Sequence, residues 1–419
     1  MNKYSKIDND YHKQFYFQRG NAFARNTLTL SQSRLSNKIT INNLNDVEDD
    51  SISTSKSNIY IKKFVKHYIK NKYSIDNRCK YYKYICKKLK NIKELSCLLS
   101  NKYSKGKKLY DGYSIDNTVN LEKQIGSDSR YGSIFITSIK KTLGKYPIAS
   151  KVMKVNKKNS FENEINNIIT QNILRNKLSK HFVFTYKSFM CANATENVPY
   201  IIKNEIYYIL LNELAHGDLK QLNKMKTYVI DDSSVYNVFI QTILSIMTFH
   251  YTGYTHNDCH YGNFLYHRNK EEGYYHYIIN DVDYYLKSSK YNIMIFDFGF
   301  AKKINADSIN DDIIEDYLRI FHAFPNKKKF KNAWTNYVGY PSNEFSDFVI
   351  FLYNRLNKLT RAELTKMKCM STLINDIILP RLLEVPKNIF TKTKPKDKIL
   401  NKTPFIINKT LHNSFFSRN

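Results

Sequence analysis

The chain reads as an α+β protein of two lobes, a small antiparallel-sheet lobe followed by a mainly helical one. Three observations predict it. Ser133–Ile139 and Ile148–Val155 carry alternating or β-branched apolar residues on either side of a Leu143-Gly144-Lys145-Tyr146-Pro147 turn, the pattern of paired antiparallel strands. Further on, 235–251, 311–323, 343–356 and 361–383 read as helices. Where the two regimes meet, His256-Asn257-Asp258-Cys259-His260-Tyr261-Gly262-Asn263 is followed by Ile295-Phe296-Asp297-Phe298-Gly299, polar groups gathered beside apolar strands.

Taken in order, residues 1–58 are rich in Asn, Ser, Lys and Asp, and Asn45–Ser57 is nearly devoid of apolar side chains, so this segment is expected to be disordered. Residues 59–115 are expected to form a basic helical extension, because Ile61, Phe64, Val65, Tyr68 and Ile69, and then Tyr82, Ile85, Leu89 and Ile92, recur at helical spacing under a lysine-coated face. The remaining core, 116–386, divides into a sheet lobe at 116–212 and a helical lobe at 213–386. Within the first lobe a helix is expected over Phe161–Leu178, capped from Asn159-Ser160, with strands at Phe182–Met190 and Ile206–Leu211. Residues 387–419 read as a loose basic tail.

Composition narrows the function classes. Across 419 residues, 66 Lys+Arg against 37 Asp+Glu give a formal charge of +29, which suits acidic protein substrates or nucleic acid, although Lys, Asn, Tyr and Ile are enriched together as in an AT-rich coding bias. No apolar run approaches the ~20 residues of a membrane-spanning helix. Six cysteines, Cys79, Cys86, Cys97, Cys191, Cys259 and Cys369, show no CxxC spacing and predict free thiols in a reducing, intracellular setting.

An aspartate, an asparagine five positions on and a second aspartate after a strand are the groups that phosphoryl transfer needs. Asp258 would take up or orient the proton of an attacking hydroxyl, while the Asn263 amide oxygen and the Asp297 carboxylate are hard oxygen ligands suited to magnesium. In this order and context they resemble the catalytic and magnesium loops of the protein kinase superfamily, over about 121–383. The resemblance implies ATP and Mg2+ as cofactors. It also implies that Lys151, in Ile148-Ala149-Ser150-Lys151, neutralises ATP phosphates and pairs with Glu164, preferred over Glu162 because Phe161, Ile165 and Ile168 flank it. Gly126 and Gly132 stand where a glycine-rich phosphate lid would, with Ile134, Ala149 and Leu265 around the adenine, Glu213 and Ala215 pairing with it through their backbones, and Asp218 at the ribose. Asp316 resembles the aspartate that anchors the catalytic loop from below.

Three departures resemble haspin-like, atypical members. His260 replaces a lysine, a long insert spans 268–291, and only about twenty residues separate Asp297 from Asp316 with no Ala-Pro-Glu between. Asn257 in place of arginine removes the cation that reads an activation-loop phosphate. The resemblance therefore implies a serine/threonine protein kinase, similar to kinases of large DNA viruses and placed in the host cytoplasm or virion. His260 and the missing docking segment leave open a small-molecule kinase of the choline or aminoglycoside type. The irregular glycine loop and the basic helices leave open a pseudokinase or nucleic-acid-binding scaffold.

Overall fold

The computed structural model describes residues 73–411 apart from 106–107, 130–131, 141–147, 193–204, 305–310, 332, 334–340, 360–362, 365–366 and 368. The expected disorder of 1–58, the helix at 61–69 and the turn at 143–147 lie outside the described residues. The chain divides into two compact units, one of 86–159 with 186–214 and one holding the remaining described residues.

The first unit is a seven-stranded sheet in the order β1-β2-β3-β4-β5-β7-β6. Its strands are β1 (Leu98–Lys105), β2 (Lys108–Ile115), β3 (Val119–Ser129), β4 (Gly132–Ile139), β5 (Ile148–Lys154), β6 (Thr185–Cys191) and β7 (Tyr207–Glu213). Along β4 burial alternates, with Ser133, Phe135, Thr137 and Ile139 inside, as one covered face requires. In β5 every residue from Ile148 to Lys151 and on to Met153 is buried, so both faces of this central strand are covered. The helical extension expected over 59–115 is corrected here. A helix, α1 (Ile75–Lys88), is followed by β1 and β2, whose ladder sets Tyr103 opposite Tyr110 and Leu98 opposite Ile115. The helical spacing read from Tyr82 to Ile92 falls largely on α1, and the remainder of the expected extension is a strand pair held by its own ladder.

The helix α2 (Lys157–Ile168) continues as a wider turn over Ile169–Leu174. The second unit is built around α4 (Asp232–Tyr251), buried from Ser234 to Tyr251 along its whole length, which is why its hydrophobic pattern wraps all round. A short helix, α3 (Leu219–Leu222), precedes it, and α5 (Asp311–Phe321) and α6 (Asn343–Asn357) follow. Three small sheets complete the unit. The strands β8 (Gly217–Asp218), β10 (Phe264–Arg268) and β13 (Tyr291–Ile295) form one, in the order β13-β10-β8. A second joins β9 (Tyr254–Thr255) to β14 (Lys302–Lys303).

The insert at 268–291 is a hairpin of β11 (Tyr274–Ile279) and β12 (Val282–Lys287), turned by Asn280 and Asp281 at φ 47° and 64°, left-handed values that these two residue types tolerate. The loose tail expected from Lys387 is a second correction. Its residues supply β15 (Phe390–Thr391), antiparallel to β12, and β16 (Phe405–Ile407), parallel to β11. Phe390, Phe405, Ile407 and Leu411 are all buried, so apolar residues within a basic segment decide its fate. Phe405→Ala is expected to lower the unfolding free energy by about 3–5 kcal/mol in equilibrium urea denaturation, where a loose tail would register under about 0.5 kcal/mol.

Candidate functional site

The loop His256–Asn263 hangs between α4 and β10 and is held from beneath by one carboxylate. Asp316, fully buried on α5, accepts the backbone N–H of His256 at 2.7 Å on Oδ2 and that of Asn257 at 2.8 Å on Oδ1. His250, in the last turn of α4, brings Nε2 to 3.0 Å from Oδ2. Burial by itself would raise the Asp316 pKa, but hydrogen bonds and charge from His250 and His256 outweigh it, and the carboxyl titrates below its ordinary value. The buried Cys259 thiol is pushed well up by burial and then by this same carboxylate, so it stays neutral. Asn257 sits at φ 59°, in the left-handed region asparagine tolerates, and its amide donates to Thr255 Oγ1 at 2.9 Å.

His256 couples the two halves of the constellation. Its Nδ1 accepts from the Asp258 N–H at 3.3 Å, which leaves Nε2 to donate to the Phe296 carbonyl at 3.0 Å. Phe296 N in turn donates to Asn263 O at 3.0 Å, and β10 pairs with β13 from Phe264↔Ile295 onward. The loop carrying Asp258 and the strand end carrying Asp297 are thus tied at both backbone and side-chain level. Phe298, buried, stacks on Phe249 of α4 at 4.8 Å and anchors the turn beyond Asp297, which itself takes φ 68°.

Within the loop, Asn263 uses its amide nitrogen twice, donating to Asp258 O at 2.9 Å and to Asp258 Oδ2 at 3.0 Å. Both amide hydrogens are thereby engaged, so Oδ1 is left as the acceptor end of a nearly buried side chain. His260 accepts the Gly262 N–H on Nδ1 at 2.9 Å, and its Nε2 lies 3.5 Å from Asp258 Oδ2. Asp258 and His260 remain partly open, at 29% and 20% side-chain exposure.

Burial distinguishes the two candidate lysines. Lys151 is 4% exposed on β5, whereas Lys154 is exposed and salt-bridged to Glu205. The two candidate glutamates differ in the same way. Glu164 points to solvent, and Glu162 is 1% exposed, because the inward face of α2 runs through Glu162, Ile165, Asn166 and Ile169 rather than through Phe161. A β-carbon built on Gly299 would lie 3.4 Å from Glu162 Oε2 and 3.6 Å from Asp297 Oδ1, so the two carboxylates flank one glycine. In the first unit Ile134 lies opposite Lys151 on β4, and Ala149 lies between Ile136 and Asn212. Gly132 has φ +143°, and a β-carbon there would meet Val152 O at 2.6 Å, so glycine is required. Gly126 lies within β3 beside a register shift between Ile125 and Ser129, a bulged hairpin rather than an open glycine-rich loop.

The chain leaves β7 at Glu213, paired with Ile148, and enters the second unit at Ala215. Ala215 is buried with Val183 and Met294 against the half-buried Leu265 and Phe296, an apolar floor next to Asp218, which pairs with Leu265 across the ladder. Asp218 caps α3 by accepting the Gln221 N–H at 2.7 Å. Burial nevertheless raises its pKa to about 6.

Among the described residues no group of three or more His, Cys, Asp and Glu is placed to hold a metal by itself. Asn263 and Asp297 would supply two hard oxygen donors, the ligand type that magnesium takes. Sequence reasoning missed His250, for a histidine on an apolar helix carries no local sign that it faces an acid on another element.

Because the folded pKa of Asp218 lies above its unfolded value, the folded state holds a proton that the unfolded chain has lost between about pH 4 and 6. Stability is therefore expected to decline across that window as pH rises and to be level above it, and Asp218→Asn should flatten the decline in denaturation midpoints measured from pH 4 to 7. For Asp316 the sign is opposite. Asp316→Asn is expected to cost about 3–5 kcal/mol near neutrality, with the gap to the native chain closing only below about pH 4.

The six cysteines are not all free, as had been expected. Cys97 and Cys191 form a disulfide, and Cys79, Cys86, Cys259 and Cys369 are thiols. No helix among the described residues is long and apolar enough to cross a membrane. Comparison with curated proteins gives no match. Residues 185–331, which run from β6 through the His256–Asn263 loop, Asp297 and α5, match the ABC1 atypical kinase-like domain, and the α+β architecture is that of a kinase-like fold.

Proposed function

We propose that the chain is an ATP- and magnesium-dependent phosphotransferase that transfers the γ-phosphate to serine or threonine hydroxyls of proteins. The observation that carries this reading is the Asp258–Asn263–Asp297 set, in which one amide is held by Asp258 through both its hydrogens and keeps its oxygen for a cation. Magnesium would be held by Asn263 Oδ1 and the Asp297 carboxylate, and when bound it supplies neutralisation of the charge that develops on the transferring phosphoryl group. Asp258 receives the proton of the acceptor hydroxyl. His260, with Nδ1 committed to the Gly262 N–H, carries its neutral-state proton on Nε2 and turns that edge toward Asp258, which keeps the carboxylate oriented. Lys151 neutralises the α- and β-phosphates, and Glu162, buried beside Gly299 and Asp297, is the acidic residue of α2 that serves the site in place of Glu164.

An acidic acceptor is supported by Lys220, two residues past the Asp218 cap, whose Nζ lies 5.7 Å from the ring centroid of Tyr261 in the catalytic loop. A second reading, a small anionic hydroxyl compound as acceptor, is favoured by the short path from Asp297 to the start of α5 at Asp311, which leaves little chain for a peptide platform.

Transfer from labelled ATP to acidic and basic protein substrates and to small hydroxyl compounds tests both. Asp258→Asn and Asp297→Ala are expected to lower kcat by about 10²–10⁴-fold, and equal incorporation in all three proteins would remove the assignment. Glu162→Gln is expected to reduce kcat/KM by about tenfold or more and Glu164→Gln by less than about twofold.

A further inference from the structure

The two outermost strands of the seven-stranded sheet, β1 and β6, stand at opposite ends of its strand order, yet the residues beside them meet. Cys97, immediately before β1, is bonded to Cys191, the last residue of β6, across a Cα–Cα distance of 4.5 Å and a sequence separation of 94. Next to the bond Met190 N donates to Glu94 O at 2.8 Å. Further along β6, Lys187 Nζ donates to Leu89 O at 3.2 Å and Ile92 O at 2.6 Å, and the Cys86 thiol donates to Tyr186 O at 3.3 Å. The sheet has curled until its edges face each other, and no strand ladder among the described residues joins them. Among the contacts that join these edges, the covalent bond is the strongest closure.

The two sulfurs are unequally placed. Cys191 is fully buried, whereas Cys97 is half-buried. Thiol–disulfide exchange requires an approaching thiolate to reach one sulfur of the bond, and only Cys97 offers that access. We propose that Cys97–Cys191 is a reversible thiol–disulfide exchange site at which low-molecular-weight thiols of the glutathione class open and close the seam of the sheet, with Cys97 as the sulfur attacked. In the opening direction the incoming thiolate bonds to Cys97 Sγ, the protein S–S bond breaks, and its electron pair leaves on Cys191 Sγ, which takes up a proton. A second thiolate then attacks the outer sulfur of the mixed disulfide and frees Cys97. Two small thiols are oxidised to one disulfide as one protein disulfide is reduced to two thiols. The strand bearing Lys151 lies between the stapled edges, so the state of the bond sets the stiffness of the sheet that holds it.

The test uses the intact chain equilibrated over a series of reduced-to-oxidised glutathione ratios, quenched with N-ethylmaleimide and mapped by peptide mass. Cys97 and Cys191 are expected to lose reactivity together as the ratio becomes oxidising, with a rise in the melting midpoint of about 5 °C or more that Cys86→Ser retains and Cys97→Ser and Cys191→Ser both lose. In Cys191→Ser, glutathione disulfide is expected to modify Cys97; in folded Cys97→Ser, it should leave Cys191 untouched. Independent alkylation of the two cysteines, a midpoint indifferent to reduction, a bond that no ratio opens in the folded protein, or equal modification of Cys191 would each overturn the proposal.

Discussion

The site depends on one buried carboxylate. Asp316 has no exposure to solvent and takes two backbone N–H groups of the His256–Asn263 loop and the ring N–H of His250. An isolated anion there would be too costly to bury, and an isolated loop would have no reason to hold Asn257 in a left-handed conformation. Each makes the other tolerable. The loop's amides solvate the charge, the charge fixes the loop, and α4 and α5 are locked together by the histidine that completes the set. Everything upstream in the geometry, from the Asp258–Asn263 contact to the His256 bridge to Phe296, is built on a backbone that this interaction has already positioned.

The legibility of the fold followed the scale on which its cause acts. The neighbourhood of Asp258, Asn263 and Asp297 could be singled out because polar residue types at short spacing stand out beside apolar strands, and α4 could be read because its apolar residues recur at helical spacing over its length. The burial of Glu162 rather than Glu164 could not be read because inward and outward faces of a polar helix such as α2 cannot be told apart by flanking residues alone: Phe161 looked like a core residue and is only partly covered. The tail strands were missed for another reason. Strands such as β15 and β16 have two or three residues each, too few for a period to show, and they exist only because distant partners offer open edges. The Cys97–Cys191 pair is beyond sequence reasoning for the same cause, since its spacing of 94 residues has meaning only once the sheet has curled.

The buried cation Arg78 shows how the segment before the sheet is made part of the fold. Its guanidinium donates to the carbonyls of Lys180 and Phe182, and the neighbouring Lys180 ammonium, its pKa driven well down by burial, donates to Asn292 Oδ1 at 2.7 Å and lies 3.5 Å from the Tyr275 ring centroid. His181 next to it is held neutral, its pKa lowered to about 3 by burial and by Lys180, with Nε2 at 2.9 Å from Tyr277 OH. α1, the turn at 180–182, β13 and the insert hairpin therefore share one polar core, so the insert is bonded into the second unit rather than appended to it.

The parallel pairing of β16 with β11 sets the order in which the chain can finish folding. Tyr277 must wait for Phe405 and Ile279 for Ile407, partners that are synthesised more than a hundred residues later. The first unit, by contrast, draws all of its described residues from before Ala215. As the chain emerges, that sheet can close while the insert hairpin still presents an unpaired strand edge, which makes the interval before β16 arrives the period when a nascent chain of this protein is most exposed to edge-to-edge association.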